Sequence, residues 1–205
     1  LLTVREVSAD HNPRLALHRT YRYRLEGMEF WVEPSHDDFS MWLDLFVGTY
    51  NATNFAKLEE GKNPMRTVLS VTPWMDGTRL MGFEIVGEAF LWNQVRRVAN
   101  ALFRIALGEL TVQQVKEAIE RPDLPVDFGV APAQWLTLWG VAWEDEPLPP
   151  DQTTPLLTPP PIGRIAERTK KGRWQMAAQH EMKGLLYNEW ASLGELPLVY
   201  RKDSQ

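Results

Sequence analysis

The chain has 205 residues, 44% of them hydrophobic and 24% charged, with a net charge of −5. It contains no cysteine, which excludes disulfides, thiolate zinc sites and cysteine nucleophiles; its four histidines show no ligand spacing. An acidic total counts against non-specific nucleic-acid binding, which depends on phosphate neutralisation, although a local basic patch can coexist with it.

No apolar run is long enough to span a bilayer. The opening Leu1-Leu2-Thr3-Val4 lacks Met and the features of a secretory signal, so it reads as a cut or processed start, and a cytoplasmic location is the default expectation. In chain order, Leu2 to Val7 reads as a strand. His18 to Leu25 (HRTYRYRL) alternates strongly and reads as another. Asp37 to Val47 carries Phe39, Trp42, Leu43, Leu45 and Phe46 on one stripe and is expected to be a helix ended by Gly48. Arg66 to Trp74 and Arg79 to Val86 flank Asp76-Gly77, a hairpin signal. Leu91 to Leu107 is the clearest helical pattern. Thr111 is placed to cap a further helix, Val112 to Ile119, and Trp135 to Trp143 reads as the last strand.

Strands and hairpins followed by helices predict an α+β fold, with a mixed, mainly antiparallel sheet and helices packed on one face. Composition divides the chain into residues 1–144, a proline-rich arm or linker at 145–162, and a tail at 163–205. The arm holds too much proline for a helix or a central strand. Within the tail, Arg173 to Leu193 is expected to be one helix.

On a helical wheel of Leu91 to Leu107, Trp92, Val95, Val98, Ala99, Leu102, Phe103 and Ala106 share an apolar arc, with Asn93, Arg97, Asn100 and Arg104 opposite. Arg96 falls at the edge of the arc. A guanidinium there either runs its stem along the core or, partly desolvated, meets an anion. In the strand at 18–25, Arg19, Tyr21 and Tyr23 take one face and Thr20, Arg22 and Arg24 the other. Interleaved cations and aromatic rings suit RNA, but they also occur on solvated strands. Lys57, Lys62, Arg66, Arg97, Arg104 and the cluster Lys170-Lys171-Arg173 are further cations that the fold could gather into an RNA track. Trp42, Trp92 and Trp139 sit at core-like positions and read as packing residues. No paired carboxylates, nucleophile elbow, P-loop or dinucleotide fingerprint occurs.

Several segments together resemble the TruA family of tRNA pseudouridine synthases. Asn12-Pro13-Arg14 followed by Arg19-Thr20-Tyr21-Arg22-Tyr23-Arg24 is similar to the family segment ending in S-R-T-Y-R-Y. Phe46-Val47-Gly48-Thr49-Tyr50-Asn51 with Asn54-Phe55 resembles L-x-G-x-H-D-F-x-x-F, and Arg66-Thr67-Val68 matches R-T-V. Phe83 to Leu91 with Val95-Arg96 resembles F-x-I-x-G-x-x-F-L-x-x-M-V-R. Ala131-Pro132-Ala133 with Leu136, Leu138, Val141 and Trp143 resembles A-P-A-x-G-L-x-L-x-x-V-x-Y.

The resemblance implies that residues 1–144 are the C-terminal part of a catalytic domain with a pseudouridine synthase-like fold. The reaction it implies is isomerisation of uridine to pseudouridine in the anticodon stem-loop of tRNA, with no metal or cofactor. Tyr21 matches the tyrosine that stacks on the flipped uracil, and Arg96 the arginine that pairs with the catalytic aspartate. Arg19, Arg22, Lys57, Arg66 and Arg97 are the candidate RNA contacts. The aspartate's segment, G-R-T-D-x-G, occurs nowhere in the chain and is expected upstream of Leu1. This chain alone is therefore expected to be inactive. Its partners would be tRNA, the missing N-terminal half of the same protein and a second copy in a homodimer, with no membrane involved. Trp92-Asn93-Gln94-Val95-Arg96 stands where many bacterial members carry His-His-Met-Val-Arg. Two other readings stay open: a non-catalytic RNA-binding or dimerisation module of this fold, and an α+β protein-interaction domain.

Overall fold

The computed structural model describes residue 12, residues 15–143 and residues 165–192. The expected strand at 2–7 and the proline-rich arm lie outside the described residues. The described chain forms five strands and four α-helices: β1 (His18–Tyr23), α1 (His36–Asp44), β2 (Gly48–Asn51), β3 (Met65–Asp76), β4 (Arg79–Gly87), α2 (Gln94–Ala106), α3 (Val112–Glu120), β5 (Leu136–Ala142) and α4 (Ile165–Ser192). The strands make one sheet in the order β2-β3-β4-β1-β5, and every neighbouring pair is antiparallel. This is the α+β architecture of the pseudouridine synthase fold.

Local chemistry accounts for most element boundaries. The Ser35 hydroxyl accepts from the Asp38 amide at 3.1 Å and starts α1. Thr111 and Gln114 form a reciprocal capping box at α3, each side chain accepting from the other's backbone amide. Gly77, at φ 58°, supplies the left-handed turn between β3 and β4. Helix α1 ends at Asp44, before the expected Gly48. Gly48 instead has φ 114° and leads into β2, a short edge strand paired with β3.

Tyr23, Phe83, Ile85 and Val71 project from one sheet face into a core completed by Phe39 and Leu43 of α1, by Val95, Val98, Ala99 and Leu102 of α2, and by Val115 of α3. The close approach of β4 to β1 depends on Gly82, where a Cβ would lie 1.9 Å from the Tyr23 carbonyl oxygen. Its absence lets the chain leave β1 toward Arg24, whose amide donates to the Trp135 carbonyl.

The opposite face is charged and aromatic. Arg22, buried, pairs with Glu84 at 2.7 Å and lies over the rings of Trp139 and Trp74, 4.1 and 5.4 Å from their centroids. Helix α4 packs on this side, its Leu185 against Trp74, Met81 and Trp139. Arg24, with 0% exposure, anchors it: its guanidinium pairs with Glu26 at 2.6 Å and with Glu181 of α4 at 2.7 Å, and lies 5.3 Å from the Trp174 ring. Arg79 joins the network through Glu26 at 3.6 Å and Asp76 at 3.2 Å. Burial pushes the Glu26 carboxyl up, against the pull of Arg24 and Arg79.

Removing one member of a buried ion pair strands the other charge, whereas replacing both by apolar groups of similar volume is often neutral. Arg24→Met is therefore expected to lower the unfolding free energy by about 3–5 kcal/mol, read from the urea midpoint at constant slope. Arg24→Met combined with Glu26→Leu is expected to recover most of that loss. A double variant as unstable as the single one would show that the network contributes through more than charge compensation.

Candidate active site

The site is built around the connection from β4 to α2. Gly87, the last residue of β4, pairs with Arg19 of β1 on one side and Val68 of β3 on the other. The Glu88 amide then donates to the Thr67 carbonyl at 3.1 Å, and the Glu88 carbonyl accepts from Arg19 Nη1 at 2.6 Å. A Cβ on Gly87 would meet the Phe90 ring at 2.8 Å and the Thr67 carbonyl at 2.9 Å, so glycine is what lets the Phe90 ring fold back onto the sheet. Phe90 in turn meets Tyr21 edge to face, with centroids 5.4 Å apart. Tyr21 is half-buried, and that burial raises its phenol above the ordinary range while the nearby Arg19 charge pulls it down.

The connection ends in a tight turn. The Leu91 amide donates to Gln94 Oε1 at 2.9 Å, and the Gln94 amide returns to the Leu91 carbonyl at 3.0 Å. Asn93, the residue before α2, is in the left-handed region at φ 62°, which asparagine tolerates better than other side-chain-bearing residues. The helix therefore starts at Gln94, three residues later than the apolar pattern predicts. Trp92 falls off the helical wheel and is 58% exposed, a correction to its reading as a packing residue.

Arg96 is the third residue of α2 and is partly buried. Its Nε donates to the Ala131 carbonyl at 2.7 Å and its Nη1 to Asn93 Oδ1 at 3.0 Å. Both acceptors are neutral, and among the described residues no carboxylate pairs with it. The next carbonyl, that of Pro132, accepts from the Tyr23 hydroxyl at 2.9 Å. Successive carbonyls of the Ala131-Pro132 segment thus fasten Arg96 of α2 and Tyr23 of β1. The two side chains are close enough for the Arg96 charge to lower the Tyr23 phenol, which burial raises well above its usual value. Tyr21 lies one pleat repeat from Tyr23 on the same face, about 7 Å along the strand.

Of the other expected RNA contacts, Arg19 and Arg66 border this connection. Arg19 reaches the Ala16 and Glu88 carbonyls. Arg66 donates to the Asn63 and Met65 carbonyls at the start of β3. Exposed Lys57 joins them: its amide donates to the Trp92 carbonyl at 2.9 Å, and its ammonium lies 4.6 Å from the centre of the Trp92 indole. Arg22 differs from expectation. The strand's alternation turns it to the opposite face, where Glu84, Trp74 and Trp139 enclose it. Arg97 is also engaged, pairing with Asp127 at 2.8 Å. The Gly129 amide, and after it the Arg97 guanidinium, hold the Asp127 carboxyl below its usual value. Among the described residues, no group of three or more His, Asp or Glu side chains is placed to hold a metal ion, and no helix is long and apolar enough to cross a membrane.

Comparison with known proteins bears on the family to which the chain belongs. A family model described as tRNA pseudouridine synthase matches residues 43–144. The tRNA pseudouridine synthase A of Thermococcus onnurineus is 33% identical over 150 residues, 70% of this chain and 52% of that protein. That of Thermococcus kodakarensis is 33% identical over 144 residues, with the same coverage of each chain. That of Methanocorpusculum labreanum is 34% identical over 140 residues, 66% of this chain and 46% of that protein. The chain spans about half the length of the curated relatives it matches. From the motif order, the antiparallel α+β sheet and these matches, the chain belongs to the tRNA pseudouridine synthase family.

Proposed function

We propose that this chain is the tyrosine and arginine half of an active site that isomerises uridine to pseudouridine in the anticodon stem-loop of tRNA. The other half, including the catalytic aspartate, would come from a segment of the same protein outside this sequence. The observation that carries the reading is Arg96. Its guanidinium is fixed in direction by two neutral oxygens beside Tyr23, about one pleat repeat from Tyr21, so its charge remains available to an incoming carboxylate.

In this reading the target nucleotide leaves its stack and its uracil lies on the Tyr21 ring, itself backed edge-on by Phe90. The bond from C1′ to N1 breaks and one from C1′ to C5 forms. The C5 hydrogen leaves as a proton, and N1 ends protonated, so the reaction needs no external reductant or oxidant. Arg96 keeps the aspartate ionised and oriented toward the nucleotide whose C1′–N1 bond breaks. Arg19, Lys57 and Arg66 hold phosphates on either side of the connection. Arg22 and Arg97, already engaged by carboxylates, are left out of this track.

A neighbouring guanidinium lowers a carboxylate's pKa by about 1–3 units. In the protein carrying both halves, Arg96→Ala is expected to abolish turnover at neutral pH while leaving the tRNA Kd near wild type. Any residual activity is expected to have its acidic limb displaced to higher pH by about 1–3 units, because the lone carboxylate then needs a higher pH to ionise. The check is release of label from C5 of uridine across a pH series; wild-type turnover at unchanged pH dependence would remove Arg96 from the mechanism.

For Tyr21, stacking needs the ring and not the hydroxyl. Tyr21→Phe is expected to retain more turnover than Tyr21→Leu, with the difference on the order of the 1–3 kcal/mol that base stacking contributes. Equal loss in the two variants would assign the role to the hydroxyl.

A further inference from the structure

We propose that Trp92 and Lys57 form a second nucleotide subsite, in which an unpaired base of the RNA next to the target stacks on the indole and its phosphate meets the ammonium. The proposal rests on the reading of the chain as an RNA-modifying half-site and adds to it a binding position outside Tyr21 and Arg96.

A large aromatic ring left in water has to be explained, because the apolar pattern of residues 91–107 could have buried it. The turn before α2 prevents that. Asn93 at φ 62° swings the chain so that Trp92 points away from the core, while Gln94 and the rest of α2 turn inward. The turn is fastened at both ends, by the reciprocal bonds of Leu91 and Gln94 and by the bond from the Lys57 amide to the Trp92 carbonyl. The indole is thus presented on a braced backbone, an arrangement in which little freedom remains to be lost when a ligand binds.

Its surroundings fit a nucleotide better than an apolar protein surface. The Lys57 ammonium sits 4.6 Å from the indole centre. A hydrophobic partner covering the ring would have to desolvate that charge without compensation, whereas a nucleotide brings a π-face for the ring and an anion for the ammonium. The position also fits. Phe90, in contact with Tyr21, is two residues before Trp92, and two residues span at most about 7 Å. A ring that close to the half-site lies within reach of a nucleotide adjoining the one held by Tyr21. Stacking and a single phosphate contact are sequence-tolerant, so the subsite favours an unpaired neighbour of any base over a paired one.

The test uses the protein carrying both halves, with tRNA as probe, and three readouts: tRNA Kd over a salt series, turnover, and the melting temperature of the free protein. Trp92→Ala and Trp92→Leu are expected to weaken tRNA binding roughly 5- to 150-fold, Trp92→Phe and Trp92→Tyr far less. Because the side chain is exposed, all four are expected to move the melting temperature by no more than about 2 °C. Lys57→Gln is expected to reduce the slope of log Kd against log salt by about one.

Unchanged tRNA affinity in Trp92→Ala, with wild type turning over normally, would overturn the subsite and leave the catalytic reading standing. A marked fall in the melting temperature of Trp92→Ala and Trp92→Leu would also overturn it, by showing that another part of the protein covers the ring. If wild type neither binds tRNA nor forms pseudouridine, the functional reading itself fails and the subsite goes with it.

Discussion

Two adjacent carbonyls, those of Ala131 and Pro132, hold α2 to β1 at the candidate site. One accepts from the Arg96 guanidinium and the other from the Tyr23 hydroxyl, so a single short segment before β5 ties the first turn of α2 to the end of β1. The bond is reciprocal at the backbone, since the Ala131 amide donates to the Arg96 carbonyl at 3.1 Å. A guanidinium has five donors in a rigid plane, and directing two of them to fixed neutral oxygens orients the rest without neutralising the charge. A carboxylate in the same place would have fixed the side chain equally well and cancelled its charge. Neutral acceptors are therefore what the proposed role of Arg96, pairing with an anion from outside this sequence, requires.

The other face of the sheet uses the opposite arrangement. There Arg22 and Arg24 are paired with carboxylates and enclosed by tryptophans, and their charge goes into the fold. Helix α4 is joined to the sheet by this means. Gln175 Nε2 donates to the Gly27 carbonyl, Glu181 meets Arg24, and Leu185 lies on Trp74 and Met81. A buried ion pair adds little net stability over an apolar substitute, but it penalises any register of α4 that leaves Arg24 without its carboxylate. The network therefore specifies where the helix sits more than how strongly it is held.

Much of this was legible in the sequence, and what was not has identifiable causes. The alternation in HRTYRY located β1 and correctly separated Tyr21 and Tyr23 from Arg22 and Arg24. It could not show that the second face would be covered, because the carboxylate enclosing Arg24 from α4 lies 157 positions away. The wheel placed Arg96 at the edge of the apolar arc, where the structure has it partly buried. The same wheel drew Trp92 into the core because periodicity carries no information about a left-handed residue, and Asn93 interrupts the helix one position after that tryptophan. Strand β2 was missed because four residues beginning with glycine give too short an alternation; its identity comes from pairing with β3. The helix at α4 was legible as an element, but its docking surface was not.

The same distinction between paired and unpaired cations is what the proposed reading uses to bring an acidic chain to RNA. Net charge weighs every residue equally, whereas the field felt by a phosphate is dominated by charges within a Debye length, about 8 Å at physiological ionic strength. Arg22, Arg24, Arg79, Arg97 and Arg104 all have carboxylates within ion-pair distance, so each contributes a near-neutral pair to that field. Arg66 and Arg96 are held on neutral oxygens instead, and the Lys57 ammonium lies over an indole. Lys57 and Arg66 border the connection between β4 and α2, as does Arg19, which reaches the Ala16 and Glu88 carbonyls. Glu88 lies in that connection as well, so the local balance there is set by a few placed charges of both signs rather than by the total. Binding that depends on a few placed cations of this kind discriminates by position along the RNA, which bulk basicity would not do.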